Sequence, residues 1–412
     1  MQTHEIVIIG AGPAGAVASA LLKRKGHDVL VLERQTFPRF SIGESLLAHC
    51  LEFVEEAGMM PAVQAAGFQV KNGAAFAWGD RYTDFDFRDK FSPGPGTTFQ
   101  VQRARFDQIL ADEAAQQGVQ VRFQQEVTAG NFTDQGAELQ VRDLASGESK
   151  SIQARFVLDA SGYGRVLARL LDLEQPSDML PRKAIFTHVQ DHMADGEFDR
   201  GKILVSVHPE HRDIWYWLIP FSNGRASLGV VGDVALLDNA SASADDILKQ
   251  WVHAAPNLDK VLRNAVWDTP ASVIGGYSAA VKRLHGPSFA LLGNAAEFLD
   301  PVFSSGVTIA LKSSKLAADA LHRQLSGEKV DWDADFAQPL MVGVDTFRAY
   351  VQGWYEGVFQ DVVFYEQAQP EVKRMISSIL AGYAWDTNNP FVAEPRRRLR
   401  MLAELCRPSA AN

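Results

Sequence analysis

Residues 5–15 read Glu5-Ile-Val-Ile-Ile-Gly-Ala-Gly-Pro-Ala-Gly15, an apolar run that leads into a glycine-rich turn. A helical pattern follows over 16–25, and Asp28-Val-Leu-Val-Leu-Glu33 is a second apolar run that ends in an acid. A strand, a glycine turn, a helix and a second strand form the βαβ unit that holds dinucleotides. The sequence therefore predicts an FAD or NAD site near its start.

Particular residues of this unit suit a dinucleotide. Gly10 permits the tight turn, Gly12 lets a pyrophosphate approach the backbone, and Gly15 lets the helix pack closely on the strand. Glu33 can accept a hydrogen bond from a ribose hydroxyl, and the helix N-terminus favours phosphate charge. The alternative is a glycine turn without a ligand, and the acid at the end of the second strand argues against it.

Length, charge and cysteine content exclude several classes of protein. The chain has 412 residues, 46% of them hydrophobic, which is enough for more than one lobe and a large core. A net charge of −10 argues against nucleic acid as a partner. Cys50 and Cys406 are far apart and form no metal-binding pattern, so we predict neither a disulfide framework nor a metal site. No signal peptide or long apolar run is evident, so we expect a cytoplasmic protein that does not enter a membrane.

The alternation of strands and helices predicts an α/β protein whose Rossmann-type lobe is discontinuous. We expect a β-sheet substrate lobe to be inserted into it and a helical extension to follow it. The predicted segments are 1–66, 103–165 and 281–326 for the nucleotide lobe, 67–102 and 166–280 for the substrate lobe, and 327–412 for the helical region.

Two further motifs narrow the chemistry. Trp215-Tyr-Trp-Leu-Ile-Pro220 alternates two tryptophans along a strand, and Phe298-Leu-Asp-Pro-Val-Phe-Ser-Ser-Gly306 leads into a long helix. A helix N-terminus offers unpaired N–H groups and a favourable dipole to an anion. Taken alone, the first motif is more often a core strand, and a serine N-cap is the alternative reading of the second.

Together with the glycine fingerprint and the turn Ile42-Gly-Glu-Ser45, these motifs make residues 1 to about 325 resemble the flavin-dependent halogenases, within the glutathione-reductase-like FAD monooxygenases. The resemblance implies FAD, used as FADH₂ from a separate flavin reductase. It also implies that chloride or bromide is oxidised to hypohalous acid through a flavin C4a-hydroperoxide. Lys71 matches the family lysine that passes electrophilic halogen to a phenol, pyrrole or indole. A loop lysine at the surface is the alternative for Lys71.

The resemblance assigns roles to further positions. It implies halide-binding N–H groups at Ser305 and Gly306, and a pocket wall of Trp215, Trp217, Phe303 and Ser304. The implied cofactor contacts are Gly10, Gly12, Pro13, Ala14, Gly15, Glu33, Arg34, Gly43, Glu44, Ser45, Arg103, Val127, Asp159, Gly293, Asn294, Pro301, Gly306 and Val307. Asn294 replaces an aspartate of many relatives, which removes a charge from the cofactor site.

Phe303 stands immediately before the motif serine, where halogenases of free tryptophan carry glutamate. This form is typical of relatives that act on phenols or pyrroles, free or tethered to an acyl or peptidyl carrier protein. Two alternatives stay open. One is an FAD-dependent monooxygenase or reductase of the same fold that does not halogenate, and the other is a non-catalytic flavin-binding protein that docks carrier proteins. Halide dependence and the effect of Lys71→Ala distinguish the three functions.

Overall fold

The structure is a computed structural model that describes residues 2–238 and 241–407. Residue 1, residues 239–240 and residues 408–412 belong to predicted segments but lie outside the described residues. In chain order, the strands are β1 (Gln2–Ile9), β2 (Val29–Leu32), β3 (Gln69–Lys71), β4 (Gly73–Trp78), β5 (Arg81–Asp86), β6 (Thr98–Gln100), β7 (Gln120–Arg122), β8 (Gln125–Thr133), β9 (Gly136–Asp143), β10 (Ser149–Asp159), β11 (Glu174–Gln175), β12 (Arg182–Gln190), β13 (Lys202–Val207), β14 (Trp215–Pro220), β15 (Arg225–Asp233), β16 (Ser272–Gly275), β17 (Ala280–Val281), β18 (His285–Gly286) and β19 (Phe289–Leu291).

The helices follow the same order. They are α1 (Pro13–Arg24), α2 (Cys50–Glu56), α3 (Met60–Ala65), α4 (Arg103–Gln116), α5 (Val166–Leu170), α6 (Val234–Leu237), α7 (Ala244–His253), α8 (Pro256–Val261), α9 (Ser305–Leu325), α10 (Gln338–Tyr355), α11 (Val358–Val363), α12 (Pro370–Leu380), α13 (Pro390–Ala393) and α14 (Pro395–Cys406). Short 3₁₀ turns occupy Gly162–Gly164, Gly293–Ala295 and Pro301–Phe303, and a π-helical turn occupies Asp333–Ala337.

The first sheet is the nucleotide-binding layer. Six of its eight described strands run in the order β18-β19-β10-β1-β2-β7, and the five from β19 to β7 are parallel neighbours. The other two follow from β10, with β9 antiparallel to β10 and β8 antiparallel to β9. All four residues of β2 are buried, as expected for a central parallel strand covered on both faces. The helices α1 and α9 pack against each other. The chain thus enters this sheet from three separate stretches, and the predicted α/β class with a discontinuous Rossmann-type lobe is confirmed.

The second sheet has the strand order β16-β12-β15-β14-β13-β4-β5 and is antiparallel except where β13 pairs with β4. Its two faces belong to different cores. Trp215 and Trp217 face the large core shared with the nucleotide lobe, whereas Tyr216 and Leu218 face a smaller core that includes residues of α7 and α8. Because side chains alternate along a strand, β14 is buried on both sides.

The C-terminal helices close the molecule over this second sheet. The helix α10 packs on α9, on α14 and on the 3₁₀ turn Pro301–Phe303. Phe347, Tyr350 and Trp354 recur at spacings of three and four on α10, and all three are fully buried. The helical extension therefore contributes side chains next to the motif that precedes α9.

Candidate functional site

A cleft of about 860 Å³ lies where the two lobes meet. The glycine turn, the Ile42–Ser45 turn, the β14 strand and the start of α9 all contribute to its wall. Most of the predicted site residues line it. These are Gly10, Gly12, Pro13, Ala14, Glu33, Arg34, Gly43, Glu44, Ser45, Arg103, Val127, Trp215, Trp217, Asn294, Pro301, Ser304, Gly306 and Val307.

Glu33 fixes the glycine turn from the end of β2. One carboxylate oxygen accepts a hydrogen bond from Ala11 N at 2.8 Å, and the other accepts one from Gln35 N at 2.8 Å. Gly10 has a φ of +97°, in the region that favours glycine. The turn therefore presents the N-terminus of α1 to the cleft, which is the arrangement that receives a pyrophosphate.

Two arginines and one aspartate lie beside this turn. Arg103 donates to Asp107 through Nε at 2.7 Å and through Nη2 at 3.0 Å, and Arg39 donates to Asp107 at 3.2 Å. A Cβ built on Gly12 would lie 3.3 Å from Nη2 of Arg39. Together these three side chains carry a formal net charge of +1, and they adjoin the predicted phosphate position. Arg39 could not be predicted from the sequence, because a single basic residue in a loop matches no motif.

Exposed apolar side chains form part of the cleft wall. Phe40, Tyr163, Leu170 and Val273 line the cleft and are 38–58% exposed. Large apolar groups at a cleft mouth are typical of a ligand site. The glycine turn, the excess positive charge and this apolar rim fit FAD, whose phosphates and ring system need these surroundings.

Three predicted cofactor contacts do not line the cleft and instead hold its backbone. A Cβ on Gly15 would lie 1.9 Å from the carbonyl oxygen of Gly10, and a Cβ on Gly293 would lie 2.8 Å from the Cβ of Ala310. Asp159 is fully buried and accepts hydrogen bonds from Ser161 N at 2.9 Å and Leu167 N at 2.6 Å. We infer that these residues shape the site without touching the cofactor.

The predicted halide position is a helix N-terminus that opens on the cleft. Ser304 has a φ of +55° and precedes α9, and no side chain caps this end. Ser305 is buried, and Gly306 lines the cleft. The first N–H groups of a helix have no partner within it, so this end can accept a small anion.

Lys71 ends β3, and its side chain is fully buried. Its Nζ donates to Ser45 Oγ at 2.7 Å and to the carbonyl oxygen of Leu46 at 2.9 Å, and it lies 5.2 Å from the centre of the Phe87 ring. Burial lowers the pKa of Lys71 to about 7. A large fraction of the molecules therefore carries an unprotonated Lys71 amine near neutral pH. The hydroxyl of Ser45 connects this amine to the cleft.

The two tryptophans of β14 lie on one face, as their alternation predicts, and their rings are 6.0 Å apart. Trp217 donates from Nε1 to Ser227 Oγ at 3.0 Å, and its ring lies against Gly229, where an added Cβ would be 2.4 Å away. Trp215 donates from Nε1 to the hydroxyl of Tyr355 at 2.9 Å. Both indoles are thus fixed as a rigid wall of the cleft.

A buried carboxylate links this wall to residues 298–306, the segment that holds the predicted halide position and is called the halide motif below. Asp300 accepts hydrogen bonds from the hydroxyls of Tyr355 at 2.8 Å and Tyr277 at 3.2 Å, and from Val302 N at 3.0 Å. Burial raises the pKa of Asp300 to about 6. This network could not be predicted from the sequence, because its three side chains come from distant parts of the chain.

Phe303, predicted as a pocket wall, is not among the residues that line the cleft. Its ring meets Trp354 at 5.9 Å and Phe359 at 5.3 Å, both edge-on. The halide motif thus has two sides, with Ser304 and Gly306 toward the cleft and Phe303 toward the C-terminal helices.

Residues 2–238 and 241–407 contain no group of three or more His, Cys, Asp or Glu side chains arranged to hold a metal ion. In the same part of the chain, no helix is both long and apolar enough to cross a bilayer. Cys50 and Cys406 are free thiols.

Comparison with known proteins bears on the cofactor and the family. Residues 3–335 match the family described as FAD binding domain. The chain is 31% identical over 338 residues to a tryptophan 2-halogenase from Chondromyces crocatus, covering 79% of this chain and 62% of that protein. It thus spans less than two thirds of that relative's length.

A second relative is a 1H-pyrrole-2-carbonyl-[peptidyl-carrier protein] chlorinase from Pseudomonas fluorescens, 28% identical over 375 residues, with 86% of this chain and 82% of that protein covered. Among solved structures, a flavoprotein/dehydrogenase from Cytophaga hutchinsonii is 41% identical, with a TM-score of 0.95 and coverage of 98% of this chain and 99% of that one. The fingerprint, the cleft and these similarities agree on FAD, and the chain belongs to the FAD-binding-domain family, with similarity to flavin-dependent halogenases.

Proposed function

We propose that this protein oxidises chloride or bromide at the N-terminus of α9 and delivers electrophilic halogen through Lys71 to an electron-rich aromatic compound. The observation that carries the proposal is the placement of Lys71. Its buried amine has a pKa lowered to about 7 and is joined by one hydroxyl to the cleft that fits FAD.

Reduced FAD, when bound, would supply two electrons to O₂, so that one oxygen atom leaves as water and the other combines with the halide as hypohalous acid. The protein's own groups do the rest. The N–H groups of Ser305 and Gly306 hold the halide ion, since they are unpaired donors at a helix N-terminus. Trp215 and Trp217 exclude water and the aromatic substrate from the flavin side of the site. Lys71 binds the hypohalous acid by donating a hydrogen bond to it, or its unprotonated amine takes up the halogen as a haloamine and releases water.

The proposed substrate is a phenol, pyrrole or indole. Phe303 supports this class, because it stands where halogenases of free tryptophan carry glutamate. The similarity to a chlorinase of a carrier-bound pyrrole supports a tethered substrate as one form. A flavin reductase is the proposed source of FADH₂, because the sequence has one dinucleotide fingerprint and no second one for NAD(P)H.

An FAD-dependent reductase or monooxygenase without halogenation is the second candidate. Two observations favour it. The flavoprotein/dehydrogenase structure is 41% identical to this chain, and Lys71 is not among the residues that line the cleft. Both candidates use the same FAD site, so they differ only in whether a halide is consumed.

The test uses 2-chlorodimedone, a diketone whose enol takes up electrophilic halogen without needing a specific pocket. The protein is supplied with FAD, NADH, a flavin reductase and O₂, with and without bromide. Halogenation of the diketone that requires both the protein and bromide is the expected result. Oxygen consumption that is the same with and without bromide, with no halogenated diketone, would favour the second candidate.

A further inference from the structure

The aromatic wall of the cleft, formed by Trp215 and Trp217, is held by two different parts of the molecule. Trp217 donates from its indole N–H to Ser227 on the neighbouring strand β15, and its ring packs against Gly229 on the same strand. Trp215 donates from its indole N–H to the hydroxyl of Tyr355, the last residue of α10. The substrate sheet therefore fixes one half of the wall, and the helical extension fixes the other half.

Tyr355 is itself restrained, both through its hydroxyl and through its ring. The hydroxyl that accepts from Trp215 at 2.9 Å donates to the buried carboxylate of Asp300 at 2.8 Å. The guanidinium carbon of Arg182 lies 4.1 Å from the centre of the Tyr355 ring, a distance typical of a cation–π contact. Arg182 is buried and donates to Asp213 at 3.0 Å. A tyrosine held at both ends in this way can fix the indole in one orientation.

The indole of Trp215 borders the proposed reaction site. It lines the cleft together with Pro301 and Val302 of the halide motif. Asp300 accepts from Tyr355 through Oδ2, and through Oδ1 it accepts from Val302 N at 3.0 Å. One carboxylate therefore holds both the support of the indole and the turn that precedes α9.

We propose that Tyr355 is a positioning residue that acts through Trp215 and determines how much of the oxidant formed in the cleft reaches the halide. The proposal rests on the proposed function. When the halide is used, FADH₂, O₂, a halide ion and a proton give FAD, hypohalous acid and water. When it is not used, FADH₂ and O₂ give FAD and hydrogen peroxide, which leaves the protein. An indole that is free to tilt admits water to the cleft, and a reactive site open to water favours the second outcome.

The chain provides a matched control for loss of the Tyr355 hydroxyl. The hydroxyl of Tyr277 donates to the same Oδ2 of Asp300 at 3.2 Å, whereas the indole of Trp215 donates to Tyr355. Tyr355→Phe and Tyr277→Phe each remove one hydroxyl and one hydrogen bond to the same carboxylate. Tyr355→Phe also removes the acceptor of the indole N–H. A difference between the two variants therefore reports on Trp215 and not on the surroundings of Asp300.

The first measurement follows the indole without any turnover, by NMR of the FAD-loaded protein with isotope-labelled tryptophan. The variant Trp215→Phe identifies the signal of Trp215. In Tyr355→Phe, the indole N–H of Trp215 should exchange with solvent about three- to tenfold faster than in the wild type, the effect of one lost hydrogen bond. In Tyr277→Phe, this exchange should change about twofold at most. Equal exchange rates in Tyr355→Phe and the wild type would overturn the proposal.

The second measurement compares the two products of turnover with FADH₂, O₂ and bromide. These are halogenated 2-chlorodimedone, with the diketone in excess, and hydrogen peroxide. Tyr355→Phe should lower the ratio of halogenated diketone to hydrogen peroxide about three- to tenfold, and Tyr277→Phe about twofold at most. The bromide concentration that gives the half-maximal rate should stay the same, because the N-terminus of α9 is unchanged.

A double-mutant cycle tests whether the effect passes through the indole. Trp215→Phe removes the indole N–H from the other side of the hydrogen bond and should lower the ratio in the same direction. Tyr355→Phe introduced into this variant should have no further effect. A full effect of Tyr355→Phe in this background, or equal ratios in Tyr355→Phe and Tyr277→Phe, would overturn the proposal. Melting temperatures confirm that each variant is folded.

The outcomes separate this proposal from the proposed function on which it rests. Failure of the proposed function is seen in the wild type, which would then make no halogenated diketone. Failure of the positioning role is seen only in the variants, in a wild type that halogenates the diketone.

Discussion

The Nζ of Lys71 lies 2.7 Å from the Oγ of Ser45, and this hydroxyl is also part of the cleft wall. The two residues come from different segments, since Ser45 ends the Ile42–Ser45 turn and Lys71 ends β3. A buried amine therefore has a polar connection to the site that fits FAD. Ser45 holds the amine in place while the rest of its surroundings exclude water.

Ser45→Ala should lower the yield of halogenated product about tenfold or more, because a hydrogen bond to a charged or partly charged group contributes about 1.5–3 kcal/mol. Formation of hypohalous acid, measured with 2-chlorodimedone, should change much less. Ser41→Ala, four residues earlier in the same loop, is the control. Full product yield from Ser45→Ala would show that Lys71 needs no support from this hydroxyl.

Gly229→Ala tests the fixed position of Trp217. The new Cβ would lie 2.4 Å from the indole ring, so the ring must move and its hydrogen bond to Ser227 must break. We expect a loss of about 1–3 kcal/mol in unfolding free energy and weaker FAD binding. Gly275→Ala is the control on the edge strand β16, because its new Cβ would meet only a carbonyl oxygen at 3.9 Å. Denaturant unfolding and flavin titration measure both effects, and equal behaviour of the two variants would contradict the prediction.

The buried carboxyl of Asp300 should make the folding stability of the protein depend on pH. Burial raises the pKa of Asp300 to about 6, so between about pH 4 and pH 6 the folded state holds a proton that the unfolded state has lost. The wild type should therefore lose stability as the pH rises through this window. Asp300→Asn lacks the charge and should be more stable than the wild type at pH 7.5, by up to about 3 kcal/mol at roughly 1.4 kcal/mol per pKa unit. The difference should shrink toward pH 4.

Asp268 is the control for Asp300, because its replacement by asparagine should change the stability in the opposite direction. The hydrogen bond from Arg225 holds the pKa of Asp268 well below its usual range, so Asp268→Asn should lose stability relative to the wild type above pH 4. Urea unfolding of both variants from pH 4.5 to pH 8 compares the two directions. An Asp300→Asn effect that does not vary with pH would mean that the carboxylate does not titrate in this range.

Arg39→Ala should raise the dissociation constant of FAD about tenfold or more. Arg39 lies beside Gly12 and shares Asp107 with Arg103, and hydrogen bonds to charged groups contribute about 1.5–3 kcal/mol. Arg34→Ala is the control, because the Arg34 side chain is 72% exposed and is paired with Glu126. The dissociation constant of FAD from Arg34→Ala should change less than threefold. If fluorescence titrations show the same rise in the FAD dissociation constant for both variants, Arg39 has no special role in binding FAD.

Local sequence patterns predicted much of this site, but they did not predict its long-range contacts. The glycine turn, the alternation of Trp215 and Trp217 and the helix after Ser304 each depend on a few neighbouring residues. Arg39 reaches the glycine turn from a loop, and Tyr355 reaches Asp300 from a helix that follows the family motifs. No spacing rule joins such positions.

Lys71 and Phe303 show the same limit. The sequence could place Lys71 either in a surface loop or beside the site, and its burial follows from the pairing of β3 with β6 and from the turn at Ser45. Phe303 was expected to face the cleft, but α10 and α11 supply the aromatic partners on its other side. Both outcomes depend on tertiary packing, which local patterns do not encode.

The most direct test of the central claim is mass spectrometry of products made by the wild type, Lys71→Met and the control Lys202→Met. Lys202 lies on β13, forms an ion pair with Asp199 and does not line the cleft, so its loss leaves the cleft unchanged. Phenols, pyrroles, indoles and carrier-tethered forms are offered with bromide, FADH₂ and O₂. We predict a brominated product from the wild type and Lys202→Met and none from Lys71→Met, with FAD binding retained in all three. Brominated product from Lys71→Met at the wild-type level would contradict the account.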